Sequence, residues 1–99
     1  MMEHVRDWKS AITAIKDAVE KRGLVFISTR APGFQLHNYP EDHWRYDRAT
    51  FEKIFADFDI IELHEDRPSH GIYILAKKPA DWTKHPDYDA IEVQGAPTV

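Results

Sequence analysis

Side chains suited to ligand recognition are concentrated between Arg30 and Tyr46 of this 99-residue chain. An aromatic ring can stack on a planar ligand, and an arginine can form a bidentate bond to an anionic group. Trp44, Arg45 and Tyr46 are consecutive and combine these two side-chain types. They are therefore a candidate clamp for a ligand with an anionic group. The alternative is structural, with Trp44 packed on the helix that follows and Arg45 paired with an acidic neighbour.

The same stretch contains side chains that bind metals in other proteins. They are His37, Glu41, Asp42 and His43. Their spacing is irregular, whereas the ligands of a zinc ion must converge to about 2.0–2.2 Å from it. We expect these residues to form hydrogen bonds within a loop, and we predict no metal site. The chain has no cysteine, which excludes disulfides and thiolate zinc sites. No turn motif supports a Ser/His/Asp hydrolase site.

The composition is that of a small globular domain. Hydrophobic residues make up 42% of the chain and charged residues 30%. Thirteen Lys and Arg against seventeen Asp and Glu give a net charge of −4, which argues against general nucleic-acid binding through a basic face. No apolar run approaches the roughly 20 residues that span a bilayer, and the first residues lack the apolar stretch of a signal peptide. We expect a cytoplasmic protein without membrane contact.

The first helix is predicted over residues 7–22. Apolar residues recur there at helical spacing, namely Trp8, Ala11, Ile12, Ile15, Ala18 and Val19. Asp7 is the expected N-cap, and Gly23 is expected to end the helix in a left-handed conformation. Lys16 is assigned to the polar side of the helix.

Three strands and a second helix follow. Four consecutive apolar residues in segment 24–29 predict a strand that is covered on both faces. Asp47 caps a helix over 48–56, whose buried side chains are Phe51, Ile54, Phe55 and Phe58. Segments 59–64 and 71–76 read as an antiparallel hairpin, and the first two strands, joined through a helix, are expected to be parallel. The predicted fold class is α/β: a small three-stranded mixed sheet with two helices.

The last part of the chain shows no regular spacing of its apolar residues. Residues 80–99 are interpreted as an extended C-terminal tail, anchored by Trp82, Tyr88 and Ile91. We interpret the pair Lys77-Lys78 as ordinary solvated residues at a strand end. The globular domain is therefore expected to comprise residues 1–79.

Several segments occur in a characteristic order. Glu3-His4-Val5 precedes the first helix, Leu24-Val25-Phe26-Ile27-Ser28-Thr29 follows Gly23, and Pro32-Gly33-Phe34 precedes the segment 37–46. With the second helix and the hairpin, this order over residues 1–79 resembles the C-terminal half of a class I S-adenosylmethionine-dependent methyltransferase (a methyltransferase type 11-like domain). The three strands would then be the fifth, sixth and seventh of that family, in which the seventh lies between the other two.

The resemblance implies methyl transfer from S-adenosylmethionine to an acceptor. It implies that Glu3 and His4 line the cofactor cavity, although a solvated chain terminus is the alternative. The loop before the second helix would be an acceptor-facing lid, with His37 as general base because histidine titrates near neutral pH. The residues that would bind the acceptor are Arg30, Tyr39, Trp44 and Arg45.

The chain departs from the family in its cofactor-binding half. Its four glycines are isolated, so it has no G-x-G turn, and it begins where the fourth strand would have ended. We expect a half-domain in which strand 24–29 is an edge, and exposed edges recruit partners. A homodimer or a complementing chain is expected to pair with this strand. The alternative function is a non-catalytic protein-interaction module derived from a methyltransferase.

Overall fold

The computed structural model describes residues 6–31, 44–66 and 71–95. Within them the chain forms α1 (Trp8–Ala18), β1 (Leu24–Arg30), β2 (Trp44–Arg45), α2 (Arg48–Ile54), β3 (Asp59–Asp66), β4 (Gly71–Lys77), a 3-10 turn (Tyr88–Ala90) and β5 (Gln94–Gly95). The α/β class with two helices and a three-stranded sheet is confirmed for this part of the chain. None of these helices has the length and apolar character needed to cross a membrane.

The main sheet has the strand order β1-β4-β3, and a smaller sheet pairs β2 with β5. β4 is antiparallel to both of its neighbours, with Ile74 opposite Ile27 on one side and Leu63 on the other. The predicted mixed sheet is therefore wrong, because β4 returns between β1 and β3 and separates the two strands that share a direction. The predicted β3–β4 hairpin pairing is confirmed, with a register shift between Ile60 and Glu62.

β1 is covered on one face, which corrects the prediction of two covered faces. Val25 and Ile27 are buried, whereas the alternating residues Leu24 and Phe26 are 58% and 60% exposed. The core that contains Val25 and Ile27 also contains buried residues of α1 and α2, so both helices contribute to the same side of the sheet. A run of four apolar residues places two of them on each face of a strand. Such a run therefore does not distinguish a strand covered on one face from a strand covered on both.

α2 supplies the aromatic part of the core. Phe51, Ile54, Phe55 and Phe58 are all buried, as predicted. The ring of Tyr46 stacks on that of Phe51, with centroids 5.2 Å apart and planes 9° apart. Burying side chains of this size contributes about 1.5–3 kcal/mol each to folding, so α2 is held mainly by its packing.

Both helices begin at the predicted N-caps. The carboxylate of Asp7 accepts hydrogen bonds from the backbone N–H and the hydroxyl of Ser10, at 3.1 and 2.7 Å. That of Asp47 accepts one from the backbone N–H of Thr50, at 2.7 Å. Each cap pairs an amide that the helix itself leaves unpaired.

α1 ends at Ala18, earlier than predicted, and the turn that follows differs from the prediction. Arg22, and not Gly23, adopts the left-handed conformation, with φ of 69°. Gly23 is required for another reason, because a Cβ atom there would lie 2.8 Å from both the carbonyl oxygen of Glu20 and Cγ2 of Val19. The glycine permits a close approach of the chain to the end of α1.

Lys16 is fully buried, which corrects its assignment to the polar side of α1. Its ammonium group donates to the carbonyl of Ile54 and to Oδ1 of Asp57, the latter at 2.6 Å. The nitrogen also lies 4.7 Å from the centre of the Phe55 ring and 5.0 Å from that of Tyr88. Burial lowers the pKa of Lys16, and the bond to Asp57 opposes this shift.

Lys78 is also buried, so its assignment as a solvated strand-end residue is wrong. Its ammonium donates to the carbonyls of Lys16 and Val19, at 2.7 and 2.8 Å. These carbonyls belong to the last turn of α1, where a positive charge is favourable. The nitrogen lies 4.3 Å from the centre of the Trp82 ring, and the Trp82 indole donates to Asp57 at 2.7 Å.

The segment after β4 packs against α1. The ring of Tyr88 meets that of Trp8 edge-on, with centroids 5.9 Å apart. His85 lies 2.8 Å from both the Tyr88 hydroxyl and a carboxylate oxygen of Asp17. Trp82 and Ile91 pack against the same core, so the residues interpreted from sequence as anchors contact the globular part of the molecule.

We expect Asp57→Ala to lower the free energy of unfolding by about 3–5 kcal/mol, because it leaves a buried ammonium without its counter-charge. Urea denaturation measures the change. The control is Asp89→Ala, which removes an exposed partner of Lys9 and should cost at most about 1 kcal/mol. Equal effects of the two substitutions would contradict a stabilising role for the buried pair.

The lowered pKa of Lys16 predicts a pH dependence of stability. The folded protein releases this proton at a lower pH than the unfolded chain, in which the pKa is near 10.5. Below 10.5 the unfolded chain then binds more protons, so the contribution of Lys16 to the free energy of unfolding rises with pH. As the pH rises toward 10.5, the wild type should gain stability relative to Lys16→Met. A constant difference in urea denaturation would refute this titration.

Candidate functional site

A groove lies between the start of α1, the entry to α2 and residues 91–94. Near it, the carbonyl of Arg30 accepts a hydrogen bond from the backbone N–H of Tyr46 at 2.7 Å. The indole N–H of Trp44 donates to the carbonyl of Arg6, just before α1, at 3.1 Å. These two bonds bring the end of β1, the start of α1 and the entry to α2 together.

The groove is open and has a volume of about 700 Å³. It is lined by residues from three separate parts of the chain: Arg6, Asp7, Trp8, Lys9, Trp44, Asp47, Thr50, Ile91, Glu92, Val93 and Gln94. Trp44 is half-buried and supplies an aromatic surface. The lining can therefore contact a planar or apolar group and present charges of both signs around it.

The two aspartates of the groove are occupied by helix capping. Hydrogen bonds from Ser10 lower the pKa of Asp7 below its usual value, and Asp47 accepts from the backbone of Thr50. Lys9 is paired with Asp89 at 2.8 Å. These groups contribute to the shape and charge of the groove. Helix capping and ion pairing explain their positions, so the positions are not evidence for a ligand.

The structure separates the residues of the predicted clamp. Trp44 lines the groove, but Arg45 is 1% exposed and does not line it. Nη1 of Arg45 donates to the carbonyl of Trp44 at 2.9 Å. Tyr46 is fully buried against α2, and Arg30 is 9% exposed. Because successive residues of an extended chain point to opposite sides, Trp44 and Arg45 do not share a surface.

The other predicted site residues lie outside the described part of the chain. They are Glu3, His4, His37 and Tyr39, together with Glu41, Asp42 and His43 of the candidate metal set. Within residues 6–31, 44–66 and 71–95, no three His, Asp or Glu side chains are placed to hold a metal ion together.

Sequence reasoning missed the contribution of the C-terminal segment to the groove. Ile91, Glu92, Val93 and Gln94 form one wall, and β5 pairs with β2, placing Gln94 opposite Arg45. The alternation of apolar Ile91 and Val93 with polar neighbours is the signal that could have identified a short extended segment here.

Comparisons of the chain with protein-family models, curated proteins and solved structures found no match. The function is therefore inferred from the residues and geometry of the chain itself.

Burial identifies Arg45 as a structural residue, and we expect Arg45→Ala to lower the free energy of unfolding by about 2–4 kcal/mol. Urea denaturation measures this change. The control is Lys53→Ala at an exposed position of α2, which should change the free energy of unfolding by at most about 0.5 kcal/mol. Unchanged stability of the Arg45 variant would contradict the structural assignment.

Proposed function

We propose that this chain forms the acceptor-side half of an S-adenosylmethionine-dependent methyltransferase fold, which a cofactor-binding polypeptide segment completes along β1. The strand order β1-β4-β3 is the observation that supports this proposal. β1 and β3 run in the same direction, and the last of the three strands lies between them, antiparallel to both.

This order is informative because simpler connections would give a different sheet. A meander of three sequential strands would place β3 next to β1 and β4 at the far side. Here the chain leaves β1, passes through α2, forms β3 outside the position of β4, and then returns. The same order joins the fifth, seventh and sixth strands in the family that the sequence resembles.

The groove offers a place for the acceptor. It is lined by the start of α1, the entry to α2 and residues 91–94, and Trp44 offers an aromatic surface to an acceptor. The acceptor would be held there against the reactive methyl group, so catalysis would come from positioning. In the transfer, the acceptor's lone pair would form the new bond to carbon, the electron pair of the broken carbon–sulfur bond would return to sulfur, and the acceptor's proton would pass to solvent.

The cofactor's nucleotide part requires contacts from the completing segment. A glycine-rich turn lets backbone amides approach a nucleotide closely, and the sequence here has no G-x-G. That segment would add a strand to β1, whose pairing in the described part of the chain is with β4 alone.

The test is co-expression of this chain with the product of the coding sequence directly upstream of its own. We expect the two polypeptides to co-purify and to bind S-adenosylmethionine in calorimetry with a micromolar Kd, which corresponds to about −8 kcal/mol. We expect this chain alone to bind at least tenfold more weakly. An upstream product without a glycine-rich turn, or a purified pair that does not bind the cofactor, would overturn the proposal.

Two variants on opposite edges of the sheet test the proposed contact. Phe26→Lys places a charge on β1 and should reduce co-purification, since lysine discourages pairing at a sheet edge. Ile61→Lys is the matched control, because Ile61 is 52% exposed on β3, and should leave co-purification unchanged.

The second candidate function is a non-catalytic interaction module. The exposure of Leu24 and Phe26 favours it, because large apolar side chains on an open strand are suited to protein contacts. Complex formation through β1 without cofactor binding in the same calorimetry would identify this function.

A further inference from the structure

We propose that two copies of this chain associate by antiparallel pairing of their β1 strands about a two-fold axis at Phe26. The product is a continuous six-stranded sheet. This self-association goes beyond the proposed function and requires neither a cofactor nor a second kind of polypeptide.

The first argument is the open hydrogen-bonding edge of β1. In the described part of the chain, all seven residues of β1 pair with β4, from Leu24 opposite Lys77 to Arg30 opposite Gly71. The other side of the strand has no neighbouring strand there. At the end of the strand the carbonyl of Arg30 accepts from the backbone N–H of Tyr46, so the row of backbone donors and acceptors that a second strand can use runs over residues 24–28.

The second argument is the apolar surface at this edge. The side chains of Leu24 and Phe26 are more than half exposed, and the ring of Phe26 contacts that of Tyr73 on β4, with centroids 5.6 Å apart. The apolar surface thus continues from the edge onto the middle strand. Pairing of two β1 strands would bring two such surfaces together on the same face of the extended sheet.

Charge favours a second copy at β1 and opposes one at β3. Residues 24–28, which lie opposite one another in the proposed register, include no charged side chain, and Arg30 lies beyond them at the end of β1. The outer strand β3 instead carries Asp59, Glu62, Glu65 and Asp66. Like charges directly opposite one another destabilise a strand pair, so the acidic edge is protected against self-pairing and β1 is not.

The sequence of β1 also selects the register. An axis at Phe26 places the two Phe26 residues opposite each other, Leu24 opposite Ser28, and Val25 opposite Ile27 of the second copy. Apolar residues then meet on both faces of the sheet. An axis one position later would place Leu24 opposite Arg30 and Phe26 opposite Ser28, which loses the aromatic pair.

The contact is small compared with a standard interface, which buries about 800 Å² on each partner. We therefore expect a reversible dimer whose population depends on concentration. Because the proposed cofactor-binding segment would use the same edge, the dimer and the completed sheet exclude each other. This last consequence alone rests on the proposed function.

Sedimentation equilibrium of the purified chain measures the association. We expect a monomer–dimer equilibrium with a Kd of about 10–100 μM, at least tenfold weaker for Phe26→Lys and unchanged for Ile61→Lys. Circular dichroism establishes that both variants fold. A chain that stays monomeric up to about 1 mM, or equal weakening by both variants, would overturn the proposal.

Cross-linking tests the register, since the chain contains no cysteine of its own. In the proposed dimer, two copies of Phe26→Cys place their Cα atoms about 4.5–5.5 Å apart, within the range of a disulfide. Two copies of Leu24→Cys would be separated by four residues along the strand, about 13 Å. We expect an oxidised dimer for the first variant only, and a preference for the second would refute the register. Neither measurement involves the cofactor, so its failure leaves the proposed function untouched.

Discussion

The buried ammonium of Lys16 is the contact on which the arrangement of the other elements depends. A charge inside a small core is tolerated only when its hydrogen bonds are made, because an unpaired buried charge costs several kcal/mol. Lys16 meets this requirement with Asp57 and the carbonyl of Ile54, which fixes α1 against the end of α2. Trp82 bonds the other oxygen of Asp57 and so joins the C-terminal segment to the same centre. The groove depends on these contacts, since its walls come from α1, the segment that enters α2 and the C-terminal segment.

The second constraint is that both helices contribute to one side of the sheet. This leaves Leu24 and Phe26 exposed on β1, which among the described strands pairs with β4 alone. β3, at the opposite edge of the sheet, carries acidic side chains that disfavour pairing with a second copy. The molecule therefore has one edge that can accept another strand and one that discourages it, and both of our proposals for partners depend on this difference.

Residue types alone predicted only part of the candidate site. Trp44 lies on the groove, as a ligand-contacting residue should, and its neighbours Arg45 and Tyr46 are internal. Arg45, whose type suggested recognition of an anion, is buried and donates a hydrogen bond to the carbonyl of Trp44. What supports the methyltransferase proposal is the order of the strands, because it describes a whole sheet and not a single side chain.

Local chemistry in the sequence determined the elements. The carboxylates of Asp7 and Asp47 begin the helices, the spacing of Phe51, Ile54 and Phe55 defines the buried face of α2, and the hairpin of β3 and β4 follows from apolar runs around a polar turn. The tertiary structure decided which lysines are internal and which face of β1 is covered. A lysine is normally expected at the protein surface. Lys16 and Lys78 are buried because carbonyls and one carboxylate from distant segments accept their hydrogen bonds. Lys16 follows the buried residues Trp8 and Ile12 at a spacing of four, so helical periodicity does place it on the buried face. What the sequence does not reveal is the set of distant oxygen atoms that makes burial of its charge possible.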